Sequence, residues 1–139
     1  MKNNSIYASI HIMNTEERVG KFLLNYKSPT TLGFYYLKTC IALAYYDKTL
    51  TKGVSKFLYS KVATKHATDT SNIERCIRNT INLWWKNNQC GMLFEFKPTN
   101  KKCIQVLTEK ISHLQDTTRQ KCILNDAEYV SVFDRVFSN

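Results

Sequence analysis

The sequence predicts an all-α fold: a compact multi-helix domain of about six helices, containing a helix-turn-helix. Three observations lead there. Apolar residues recur at three- and four-residue spacing along most of the chain. Residues 59–86 read as a short helix, a tight turn and a long amphipathic helix. The chain has 139 residues, 43% of them hydrophobic, which is enough for one globular core and little more.

The elements follow in order. In residues 1–14, an N-terminal extension, Ile6, Ala8, Ile10 and Ile12 alternate in a way that permits a short strand. Asn14 followed by Glu17 makes a capping box, and Val19, Phe22, Leu23 and Tyr26 then repeat at helical spacing until Pro29. From Thr31 to Tyr46 nearly every turn is apolar, as expected of a central helix surrounded by its neighbours. A short helix is expected over Lys52 to Leu58, using Val54, Phe57 and Leu58. Gln89 to Phe96 reads as a connection bending at Gly91, with Met92, Leu93, Phe94 and Phe96 as an apolar clip or short strand. Lys97-Pro98-Thr99-Asn100 opens the last helix of the 15–114 domain, whose apolar face is Ile104, Leu107, Ile111 and Leu114. In the 115–139 tail, Tyr129, Val130, Phe133, Val136 and Phe137 form an amphipathic stripe capped by Asn125 or Asp126. That extra C-terminal helix either packs on its own domain or holds a partner, including a second copy of the chain.

The long helix can be laid out by advancing about 100° per residue from Ile73. Ile73, Cys76, Ile77, Thr80, Ile81, Trp84 and Trp85 fall on one side. Ser71, Glu74, Arg75, Arg78, Asn82 and Lys86 fall opposite, with Asn79 and Leu83 at the margin. Asp69 or Thr70 can cap the start, since a short oxygen-bearing side chain accepts from an unpaired first-turn amide. In a helix-turn-helix such a helix enters the DNA major groove while the preceding one lies across the backbone. The plain alternative is a surface helix with solvated charges.

Charge weighs toward the first reading. Twenty Lys and Arg against 11 Asp and Glu give a formal +9, which favours a polyanion because each neutralised phosphate releases condensed counterions. Double-stranded DNA is the expected partner. No stretch approaches the roughly 20 apolar residues of a membrane span, and the N-terminus lacks the apolar run of a signal peptide, so no membrane partner and a cytoplasmic location are expected. The five cysteines, at 40, 76, 90, 103 and 122, are odd in number and form no CxxC pair, as suits reduced thiols. Neither they nor His11, His66 and His113 have metal-ligand spacing, and no phosphate loop or nucleophile–base pattern is present. We expect no catalysis, no metal and no cofactor.

Several segments carry a family resemblance. Gly33-Phe-Tyr-Tyr-Leu37, Lys56-Phe-Leu-Tyr59, Val62-Ala63, Ile73-Glu-Arg-Cys-Ile-Arg78 and Lys97-Pro-Thr-Asn100 are similar to the C-terminal DNA-binding effector domain of the stage zero sporulation protein A family, the master response regulator of sporulation initiation. The resemblance covers Val19 to Leu114. It implies an all-helical transcription regulator that binds a short box with G·C pairs in an A·T-rich setting, often as tandem copies; a homodimer through the C-terminal stripe would suit such binding too. It also implies that Glu74, Arg75 and Arg78 face the bases, with Asn79 beside them. The chemistry agrees: arginine pairs with both guanine acceptors, and glutamate accepts from the cytosine amine. Ser71 and Asn72 lie near that surface, and Lys61, Lys65 and Lys86 are the candidates for phosphate.

The chain departs from the family at defined places. Asn72 stands where the family has arginine, Asn79 where it has histidine, His66 for a phenylalanine and Ser60 for a proline. The connection between Trp85 and Lys97 is shorter than in the family, where that region is linked to RNA polymerase, so DNA binding carries over more fully than activation. The residues ahead of the first predicted helix are too few for a receiver domain, and no switching by aspartyl phosphorylation within the chain is expected. A different function on the same fold would be a protein-interaction module, antagonising another regulator through the C-terminal helix.

Overall fold

The computed structural model describes residues 2–53 and 57–123, with side chains from 13 to 114 apart from 54–56. Five α-helices make up most of it: α1 (Lys2–Asn25), α2 (Leu32–Tyr46), α3 (Tyr59–Lys65), α4 (Thr70–Asn88) and α5 (Asn100–Ile123). Among the described residues there is no strand and no helix long and apolar enough to cross a membrane. The all-α expectation is what the chain forms. The C-terminal stripe Tyr129, Val130, Phe133, Val136 and Phe137 lies outside the described residues.

Helix α2 is the hub. Phe34, Leu37, Cys40, Ile41 and Ala44 are buried on it, and α1, α3, α4 and α5 all pack against it. Val19 and Leu23 enter from α1, Ile73, Ile77, Ile81 and Trp84 from α4, and Cys103, Ile104, Leu107 and Ile111 from α5. Burial pushes the Cys40 and Cys103 thiols well above the ordinary range, so both stay protonated and pack as small apolar groups.

Gly33 sets how closely α2 approaches α4. A Cβ there would overlap the Cys76 carbonyl oxygen and the Thr80 hydroxyl, and would lie 2.6 Å from the Cys76 carbonyl carbon. Thr31, just before α2, hydrogen-bonds the Thr80 hydroxyl through its own side chain, which fixes the same crossing. Gly33→Ala is expected to cost about 1 to 3 kcal/mol, the usual penalty for overpacking, read as a lower urea midpoint at unchanged slope.

Several expected boundaries move. The Ile6–Ile12 alternation is not a strand: α1 already runs from Lys2, straight through the supposed capping box at Asn14. A lone strand would have no partner among the described residues, and Ile6 and Ile10 also satisfy the four-residue helical spacing. Glu17 instead pairs with Lys21, one turn on, at 3.4 Å. Of the short helix expected at Lys52–Leu58, Lys52 and Gly53 end a 3₁₀ turn over Lys48–Gly53 anchored by buried Leu50, residues 54–56 lie outside the described residues, and Phe57 and Leu58 are helical and lead into α3. Asp47 accepts from the Thr49 amide and hydroxyl at its start, bonds that hold its carboxyl below the usual range. Val54 lies outside the described residues. Helix α5 begins at Asn100 rather than Lys97, because Thr99 is the residue that caps it, accepting the Lys102 amide at 3.2 Å.

The connection after α4 bends at Gly91 as expected, but it is no strand. Gln89, Cys90, Gly91 and Met92 all have positive φ, and Asn88 accepts the Gly91 amide at 3.1 Å. Leu93 and Phe94 pack on the core, whereas Met92 and Phe96 are 78% and 77% exposed, so only half of the expected clip closes. Gly91 is required by contact as well as by φ: a Cβ would lie 2.5 Å from the Tyr26 carbonyl oxygen.

Candidate nucleic-acid interface

Helices α3 and α4 are consecutive and joined by four residues. Helix α3 stops in a Schellman turn: Ala67 has φ 52°, its amide donates to Thr64 O at 3.4 Å, and the Thr68 amide donates to Ala63 O at 2.9 Å. Asp69 then caps α4, accepting the Asn72 amide at 2.7 Å. The apolar face of α4 is buried through Ile73, Ile77, Thr80, Ile81 and Trp84, with Cys76 and Trp85 half-buried. Its other side is exposed, bearing Ser71, Glu74, Arg75, Arg78, Asn79, Asn82 and Lys86. The structure therefore brings Glu74, Arg75, Arg78 and Asn79 onto one solvent-facing surface.

Two of these cations are held by their own helix. Arg75 donates to Asn72 Oδ1 at 2.9 Å, and Asn72 is steadied in turn by donating to Thr68 Oγ1 at 3.0 Å. Arg78 lies 3.5 Å from the Glu74 carboxylate one turn earlier. Such exposed pairs contribute well under 1 kcal/mol, so the guanidinium groups can exchange them for a ligand at small cost. Their value is orientation.

The outlying lysines differ among themselves. Lys61 on α3 and Lys86 near the end of α4 are exposed. Lys65, at the end of α3, forms an ion pair with Glu16 of α1 and reaches another anion only by sharing or leaving that carboxylate. Sequence reasoning had no access to this contact, because it joins residues 49 apart in the chain. It also missed Asn100, whose side-chain amide donates to the Glu74 carbonyl at 2.9 Å and so ties the start of α5 to the middle of α4. Burial pushes the pKa of the nearby Tyr59 hydroxyl up to about 12. The signal was the Lys-Pro-Thr-Asn run, whose last residue reaches across to the helix.

The family described as sporulation initiation factor Spo0A C terminal matches residues 27–111. The chain belongs to this family. It is a family of DNA-binding effector domains rather than of enzymes, and the match takes in α2, α3, α4 and the first half of α5. Among the described residues no group of three or more His, Cys, Asp and Glu could hold a metal ion.

The His66 position, in the Spo0A-type domain's turn, behaves as a boundary residue. Its Nε2 lies 3.1 Å from Thr39 Oγ1, and its ring meets Tyr36 edge-on at 5.0 Å. Burial lowers its pKa below 6.5, and the neighbouring Lys65 ammonium lowers it further. The fold therefore prefers neutral imidazole, and the unfolded chain binds more protons as pH drops through the imidazole range. Stability is expected to fall between about pH 7 and 5, and less steeply in His66→Phe, as thermal melts across that range would register. Thr39 keeps a partner in that variant, since its hydroxyl already donates to Tyr35 O at 3.0 Å.

Proposed function

We propose that the chain is a sequence-specific double-stranded DNA-binding transcription regulator, in which α3, the Ala67 turn and α4 form a helix-turn-helix and α4 is the reading helix. The observation that carries this reading is the exposed surface of α4, where Glu74, Arg75, Arg78 and Asn79 stand on a helix whose opposite face is locked into the core. Rigid placement matters because bidentate recognition of guanine O6 and N7 tolerates little misalignment. Arg75 and Arg78 read guanine, Glu74 accepts from cytosine and Asn79 contacts an adjoining base. Ser71 supports the surface from the first turn. Asn72, which stands where the family has an arginine, acts through Arg75, which it orients. Lys61 and Lys86 take phosphates on either side, and Lys65 joins them when it releases Glu16.

Selection of bound sequences from a random duplex pool at physiological salt tests this proposal. One short box containing G·C pairs should be enriched. A pool that stays random, with binding that merely weakens as salt rises, would leave only charge attraction and remove α4 as a reader.

A further inference from the structure

Between the middle of α4 and the start of α5 lies an open cleft of about 590 Å³. Its lining includes Lys52, Lys97 and Lys101, together with Glu74 and Arg78 of α4. Four cations thus face one carboxylate, and that carboxylate already lies 3.5 Å from Arg78. The three lysines are exposed, and none forms an ion pair with a described carboxylate, unlike Lys21, Lys48 and Lys65. Asn100 holds the cleft wall in register with α4 through the Glu74 carbonyl, so the lysines keep a fixed relation to the exposed α4 surface. Helix α5 starts at this wall, and its positive pole adds to the field.

We propose that this cleft is a second phosphate seat, in which Lys52, Lys97 and Lys101 hold the DNA backbone on the α5 side of the reading helix. The assignment rests on α4 being the reader, because Glu74 and Arg78 belong at once to the cleft and to the α4 surface. A polyanion lying along α4 therefore continues into the cleft, whereas a small anion would use only part of it. The seat also relieves the demand on α3, where Lys65 is already engaged by Glu16. Two runs of phosphate contacts, one on each side of α4, fix the tilt of a helix in the groove better than one.

The experiment compares wild type with Lys97→Ala/Lys101→Ala on two duplexes, the one selected from the random pool and a scrambled version, across a salt series. Each phosphate contact contributes about 0.9 to the slope of log affinity against log salt, so the variant's slope should be shallower by about 1.8. Between 50 and 200 mM salt it should then lose about twelvefold less affinity than wild type, equally on both duplexes. Lys21→Ala/Lys110→Ala, which removes the same charge elsewhere, should keep the wild-type slope more nearly. Helical circular dichroism and melting confirm that the variants are folded. An unchanged slope in Lys97→Ala/Lys101→Ala, or an equal change in the control, overturns the phosphate seat while wild type still prefers its box. Loss of preference between the two duplexes in wild type itself would instead overturn the reading of α4, so the two failures are distinguishable.

Discussion

Arg75→Ala/Arg78→Ala is expected to bind the selected duplex no better than a scrambled one, while folding and melting like wild type. Each bidentate contact to guanine discriminates by about 1 to 3 kcal/mol, so the pair contributes roughly 2 to 6 kcal/mol, or about 30-fold to 10⁴-fold. Both side chains are exposed, and the bonds they make, to Asn72 and Glu74, lie on the surface of α4. Their removal therefore leaves the core intact, and any loss of affinity reports on the interface. Residual binding to the scrambled duplex should persist through the lysines and should remain steeply salt-dependent. The two contributions need not add, because the arginines sit one turn apart and would contact neighbouring base pairs. Titration of each single variant against both duplexes by fluorescence anisotropy separates them.

Trp84→Ala should have the largest effect on stability, about 3 to 5 kcal/mol, lowering the melting temperature on the order of 10 to 20 °C. Trp84 is the largest fully buried side chain, and its indole Nε1 donates to the Tyr26 carbonyl at 2.9 Å. That bond joins α4 to the end of α1, where Lys27 has φ 65° and Ser28 returns its amide to Leu23 O at 3.0 Å. Gly91 packs on the same carbonyl, so one residue pins the exit from α1, the C-terminal half of α4 and the turn beyond it. Trp84→Phe should keep most of the volume but lose the donor, costing about 1 to 3 kcal/mol. The difference between the two variants, measured by urea denaturation, divides the packing contribution from the hydrogen bond. A Trp84→Ala protein as stable as wild type would mean that α4 is not held at this end.

How much of this was legible in the sequence depends on the range of the interaction. The two faces of α4 followed from a period of 3.6, and side-chain chemistry narrowed its cap to Asp69 or Thr70, of which Asp69 takes the role, since both features are decided within one or two turns. The hub role of α2 was legible for the same reason, being apolar on nearly every turn. Helix ends were harder. Helices α1, α3 and α4 are followed by Lys27, Ala67 and Gln89 in left-handed conformation, positions where glycine is the usual signal and none is present. The start of α1 was misplaced because alternating isoleucines satisfy both a strand and a helix over so short a run. The exposed residues of the candidate site were legible one by one, but their partners were not. Glu16 reaches Lys65, and Asn100 reaches the Glu74 carbonyl, only once the helices are packed. The cleft of Lys52, Lys97 and Lys101 is invisible for the same reason, as it draws on three separate segments.

The central claim is that arginines on α4 touch guanines in the major groove, and guanine N7 methylation interference measures that directly. Methylating one or two guanines of the selected box should block wild-type binding. In Arg75→Ala or Arg78→Ala the block at one of those guanines should vanish, because no guanidinium remains to meet its N7. If methylation at every guanine leaves wild-type binding unchanged, or if the interference pattern is identical in both variants, α4 does not read the major groove through these arginines.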